Sequence, residues 1–249
     1  MYRILLSLDN IVLDVAGWIT LSIGFLLAMA LYVLVICPLH NYVQARVARA
    51  NGDEWIDESG YLTMNPVNSF HWIGALSVFV NFMGFSKRVR YRRRYFDAPF
   101  LGTLWLSLSG ILVFFLCSVV FIVICAFFSR FNSFEITSPL YIYSDSLPVA
   151  GRIFHTFYSM MFFISRMCIY SALINVLPVP PLDMGELVFT FLGKHWSDLI
   201  KKNDAIISIG VFILAFFVLG MPDSLIPDIA INFIRAVTSA TNFIINMFY

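Results

Sequence analysis

The length of its apolar runs most constrains what this chain can fold into. A helix that crosses a bilayer needs roughly 20 apolar residues to span about 30 Å of hydrocarbon. No water is present there to satisfy an open backbone, so such runs must be helical. Runs at 15–39, 101–128, 154–177 and 204–220 meet that length or approach it. The third carries Arg166, and the fourth is short. Residues 71–86 (HWIGALSVFVNFMGFS) are apolar but only 16 long, which reads as a tilted span or a re-entrant piece. Residues 228–249 mix Asn232, Arg235, Asn242 and Asn246 with Ile and Phe, a pattern that suits an interfacial helix or a poor span. The expectation is an all-α polytopic membrane protein with about four to six membrane segments, organised as one membrane domain over 1–249.

Charge agrees with that reading. Charged residues make up 12% of the chain, about half the share usual in soluble domains. The formal net charge of +1 says nothing about nucleic acid; the clustered basic residues read as topogenic charge resting on anionic headgroups, so the bilayer is the expected partner and nucleic acid is not. The basic residues are clustered instead. The block KRVRYRRR at 87–94 holds six of them in eight positions, and the Lys/Arg bias of short loops makes it cytoplasmic. The run 101–128 then leads outward, 129–153 lies outside, 154–177 returns and 178–203 is cytoplasmic. If 71–86 does not cross, Arg46 and Arg49 share the cytoplasmic side and the N-terminus lies outside. Cys37, Cys117, Cys125 and Cys168 fall in or beside apolar runs without ligand-like spacing, and read as small apolar side chains.

One stretch carries a broken chemical pattern: PLHNYVQARVARANGD, residues 38–53. Positions 40 and 44 share a helix face. Two histidines there grip one zinc, and a glutamate at 41 serves as general base for metal-bound water. Only His40 is present. Asn41 carries an amide, which does not titrate, and Gln44 offers an amide oxygen, which zinc takes poorly.

Around this stretch the chain resembles the site-2 protease family of intramembrane zinc metalloproteases, over roughly residues 15–200. Four blocks carry the resemblance, in the family's order: HNYVQARVARANGD (40–53), GYLTMNP (60–66), GFSKRV (84–89) and INVLPVPPLDMGELV (174–188). The resemblance implies a site-2-protease-like transmembrane core, followed by membrane or interfacial helices over 204–249. It implies a multi-pass protein of the bacterial cytoplasmic (inner) membrane. It would make His40 and Asp183 metal ligands, and it replaces the second ligand with Gln44 and the base with Asn41. Other departures fall where the family grips substrate: Ser69, Phe70, His71 and Trp72 after Asn65-Pro66, and Gly110, Ile111 and Phe114 in place of a Gly-Pro-x-x-Asn motif.

The resulting expectation is a catalytically inactive homologue, with no intact catalytic residue and no cofactor. His40 and Asp183 mark the remnant of a metal site. Asn65, Pro66, Asn175, Pro180 and Pro181 belong to a groove that holds transmembrane helices of another membrane protein. The alternative is an active zinc-dependent intramembrane protease that recruits His71 beside His40 and Asp183. A third reading, a transporter or channel subunit, lacks the two-half symmetry such folds show. From the residues alone, Asp183 reads as the N-cap of a helix starting at Met184, with Glu186 completing a capping box. Arg166 must snorkel or find a partner, Asp183 being a candidate. Gly24, Gly74, Gly84 and Gly110 would allow close approach of helices.

Overall fold

The computed structural model describes residues 15–131, 148–192, 194–220 and 225–248. Ten α-helices and no strand occur among the described residues, as the apolar periodicity requires. Helix α1, Val15–Leu31, passes through a π-helical turn, Tyr32–Ile36, into α2, Cys37–Ala50. Pro38 explains the wide turn. It lacks an N–H, and its ring crowds the carbonyl four residues back, so the helix loosens before it and resumes. The apolar run at 15–39 therefore does not end at Leu39; Gly17–Ala50 is one path of 34 residues.

A short helix α3, Pro66–Ser69, precedes α4, Trp72–Asn81, which His71 caps by accepting the Gly74 N–H at Nδ1. At ten residues α4 is too short to cross a bilayer, so the tilted-span reading of 71–86 gives way to the re-entrant one. The chain then runs without regular structure through 83–92 to a 3-10 turn, Arg93–Tyr95. Two long helices follow, α5 Pro99–Phe131 and α6 Val149–Asn175. The outer loop expected over 129–153 falls largely outside the described residues. The last four helices are α7 Gly185–Phe191, α8 Lys194–Lys202, α9 Asp204–Gly220 and α10 Leu225–Phe248.

Among the described residues, three paths are long and apolar enough to cross a membrane: Gly17–Ala50, Pro99–Arg130 and Val149–Asn175. The fourth run folds as a shorter apolar helix, and 228–248 lie in the amphipathic α10, which is not among the helices apolar enough to cross. The chain is thus an all-α membrane protein. Cross-helix bonds fix relative direction. Thr20 Oγ1 meets His155 Nδ1 at 2.9 Å, and the Tyr32 hydroxyl donates to Ser171 Oγ at 2.8 Å, so α1 and α6 run parallel. Ser118 Oγ donates to the Ser165 carbonyl at 3.0 Å and Phe128 packs on Phe154, so α5 runs against α6.

Small residues make this packing possible, as expected where lipid supplies no hydrophobic drive between helices. A Cβ at Gly24 would collide with Ser159, one at Gly74 with the Phe85 carbonyl, and one at Gly84 with Tyr32. The core between these helices holds Tyr32, Phe114, Ile164, Met167 and Tyr170. All four cysteines are free thiols. Arg166, mid-way along α6, does not reach Asp183; its guanidinium lies 3.4 Å from the Phe162 ring centre, one turn away on its own helix.

Candidate functional site

Helix α2 presents His40, Asn41 and Gln44 on one buried face, beneath the loop that carries Asp183. His40 Nε2 lies 2.8 Å from Asp183 Oδ2, and Gln44 Nε2 donates to Asp183 Oδ1 at 2.9 Å. Both carboxylate oxygens are therefore bonded within the cluster. The three positions that the resemblance gives to metal ligands do meet in space, but they meet as partners of one another.

The second layer determines where the protons sit. Asn41 Nδ2 donates to the Lys87 carbonyl at 2.9 Å, which turns Asn41 Oδ1 toward His40 and Ser86. That oxygen accepts the Ser86 hydroxyl at 2.6 Å and faces His40 Nδ1 at 2.9 Å. Two acceptors cannot face each other, so His40 Nδ1 carries a proton. Ser86 Oγ also lies 3.1 Å from His40 Nδ1, which places Ser86, His40 and Asp183 in the order of a hydrolase triad. A triad needs an unprotonated nitrogen facing the serine; here that nitrogen is already a donor, so it cannot take the Ser86 proton.

Asp183 itself is clamped. Its N–H donates to Asn175 Oδ1 at 3.2 Å, and its carbonyl accepts the Ser107 hydroxyl at 2.8 Å. Asn175 Nδ2 returns to the Ser171 carbonyl at 2.8 Å. The Phe114 ring stacks on His40 with centres 4.5 Å apart, at the position the resemblance would give to an asparagine. Gly110 completes the enclosure: a Cβ there would collide with Gln44, His40 and Asp183 together.

Several expectations change here. Asp183 is not a helix cap. Helix α7 starts at Gly185 after Met184, with no side-chain cap bond, and the Asp183 carboxylate is spent on His40 and Gln44. Glu186 closes no capping box; it accepts from the Tyr91 hydroxyl at 3.1 Å and pairs with Arg88 at 3.4 Å. His71 does not join His40 and Asp183. It faces Asp204 at 3.9 Å and packs on Phe85. No three His, Cys, Asp or Glu side chains among the described residues are placed to hold one metal ion. Asn175 and Pro181 line a cavity of about 10 Å³ beside Asp183, whereas Asn65 and Pro66 form a separate turn, with Asn65 capping α3. Pro180 is buried next to Pro181 through a cis peptide bond.

The donor set can be weighed against zinc chemistry. Zinc sites draw on thiolate, imidazole and carboxylate, and catalytic sites use three such protein ligands. This cluster offers one imidazole and one carboxylate; its third member is an amide whose nitrogen faces Asp183. It does not fit a catalytic zinc site. Ser86, Ser107 and the Lys87 carbonyl were not legible as site groups, although Ser86 and Lys87 lie in the GFSKRV block.

No protein-family model and no solved structure matches the chain. Among curated proteins, it is similar to "Putative zinc metalloprotease YwhC" of Bacillus subtilis (strain 168), 26% identical over 161 residues, which cover 64% of this chain and 67% of that protein. That similarity is to a protease-like protein.

Proposed function

We propose that the chain is a non-catalytic, site-2-protease-like protein of a bacterial cytoplasmic membrane, a single multi-pass domain that holds a transmembrane segment of a partner within a membrane complex. The observation that carries this reading is the closed set of bonds at His40, Asn41, Gln44 and Asp183. The base position holds an amide bonded on both sides, and the ligand positions satisfy one another. The cavity beside Asp183, about 10 Å³, admits no side chain, so a partner segment is held on the outside of the bundle, with Asn175, Pro180 and Pro181 shaping the wall behind it.

The test is zinc per chain in the full-length protein, purified in mild detergent, with cleavage of a transmembrane substrate measured alongside. Substoichiometric zinc and no cleavage are expected. Stoichiometric zinc that disappears in Asp183→Ala would overturn the reading. The double change Asn41→Glu with Gln44→His restores the family pattern and should gain zinc if the frame is intact. The second reading, an active zinc-dependent intramembrane protease, draws on the name of the matched relative and on the closeness of His40 to Asp183. The same measurement separates the two.

A further inference from the structure

The basic block does more than mark a side of the membrane. Residues 87–93 fold against α7 and the start of α9 around a groove of about 550 Å³, a volume typical of small-ligand sites. Lys87, Arg88, Arg90 and Arg93 line it, with Glu186 and Asp204 as its carboxylates. Four cations less two carboxylates leave a formal surplus of two positive charges.

The carboxylates are already taken. Arg88 pairs with both Glu186 and Asp204. Arg93 Nη2 donates to the Glu186 carbonyl at 3.2 Å, while its Nε is buried without a hydrogen bond. Among the described residues, no carboxylate pairs with Lys87, Arg90 or Arg93. Three cations thus line one space without a carboxylate of their own. Arginine forks match phosphate oxygens in pairs, and lysine adds a compact charge.

Position narrows the ligand. The groove lies at the end of the bundle where α2 ends, α5 begins and α6 ends, close to where an apolar span gives way to headgroups. Phe189 supplies an apolar wall. The groove shares Arg88, Val89, Tyr91 and Glu186 with the small cavity beside Asp183. We infer that this groove is a stoichiometric binding site for the phosphate of an anionic phospholipid headgroup. It is distinct from diffuse attraction to a charged surface, which would need no groove of ligand size. The assignment goes beyond the pseudoprotease reading and stands whether or not the chain cleaves a substrate.

The test is native mass spectrometry of the full-length protein in neutral detergent, titrated separately with phosphatidylglycerol, phosphatidylcholine and inorganic phosphate. One phosphatidylglycerol per chain, saturable and weakened by salt, is expected, with phosphatidylcholine not retained. Lys87→Gln with Arg90→Gln changes two exposed side chains and should weaken phosphatidylglycerol retention by about tenfold or more. Arg93→Lys keeps the charge, loses the fork and should weaken it in the same direction. Equal retention of both lipids would overturn the proposal, as would retention unchanged in both variants. Binding of inorganic phosphate without lipid would overturn the lipid source and leave a soluble phosphate as the ligand.

Discussion

At the scale of the residue, the cluster is a balance that single changes should upset. Asp183 faces His40 Nε2 and accepts from Gln44, both buried. Asp183→Ala removes the partner of both and leaves two buried polar groups unpaired, a loss of about 2–5 kcal/mol. Detergent-phase thermal or denaturant unfolding should report it. Gly110→Ala places a methyl group against Gln44, His40 and Asp183 at once, and should cost about 1–3 kcal/mol through overpacking. A neutral Gly110→Ala would mean the cluster yields easily. What the sequence revealed at this scale follows the separation of residues along the chain. His40, Asn41 and Gln44 were legible together because helix periodicity alone sets them on one face. Asp183 was legible as a position through the resemblance, but its role was misread, since local capping logic competes with a bond to a residue 143 positions away. Ser86, Ser107 and the Lys87 carbonyl became visible only when separate segments folded over α2, and no local spacing encodes that.

At the scale of the element, two helices carry features with separable consequences. His71 caps α4 through an unprotonated Nδ1 that accepts from Gly74. Burial, helped by the Arg88 and Lys87 cations, lowers its affinity for a proton below the usual histidine value. The unfolded chain then binds the proton more readily than the folded one. This contribution to stability is complete above the unfolded value, about 6.5, and is lost as pH falls through that value toward the folded one. Trp72, next to the cap, should report the loosening as a change in fluorescence below about pH 6.5. In His71→Asn, whose amide caps at any pH, the change should vanish. The second case is Arg166, which lies against Phe162 rather than a carboxylate among the described residues. A charge near the middle of a membrane helix costs about 2.5–3.5 kcal/mol on insertion scales, and a ring contact returns about 0.5–2 kcal/mol. Arg166→Leu should therefore raise the unfolding temperature of the isolated protein. A fall instead would reveal a counter-charge.

At the scale of the whole molecule, the apolar runs gave the long helices, and the shortness of 71–86 was the open point. The geometry favours a re-entrant piece: α4 is ten residues, α1 and α6 run parallel, and α5 runs against them. That arrangement needs an odd number of crossings between α1 and α6, which α5 supplies by itself. It also gathers Arg46, Arg49 and the 87–94 block at one end of the bundle, as the positive-inside bias demands. Orientation can then be read with a membrane-impermeant maleimide, because the native cysteines sit within apolar helices. Glu54→Cys, Arg90→Cys and Lys202→Cys replace exposed side chains and should label only after the membrane is opened. Val149→Cys, exposed at the start of α6, should label in intact cells. Glu54→Cys and Arg90→Cys bracket α4, so labelling of these two from opposite sides would show that α4 crosses. In that case the re-entrant reading fails, and the groove at 87–93 no longer shares a membrane face with the end of α2.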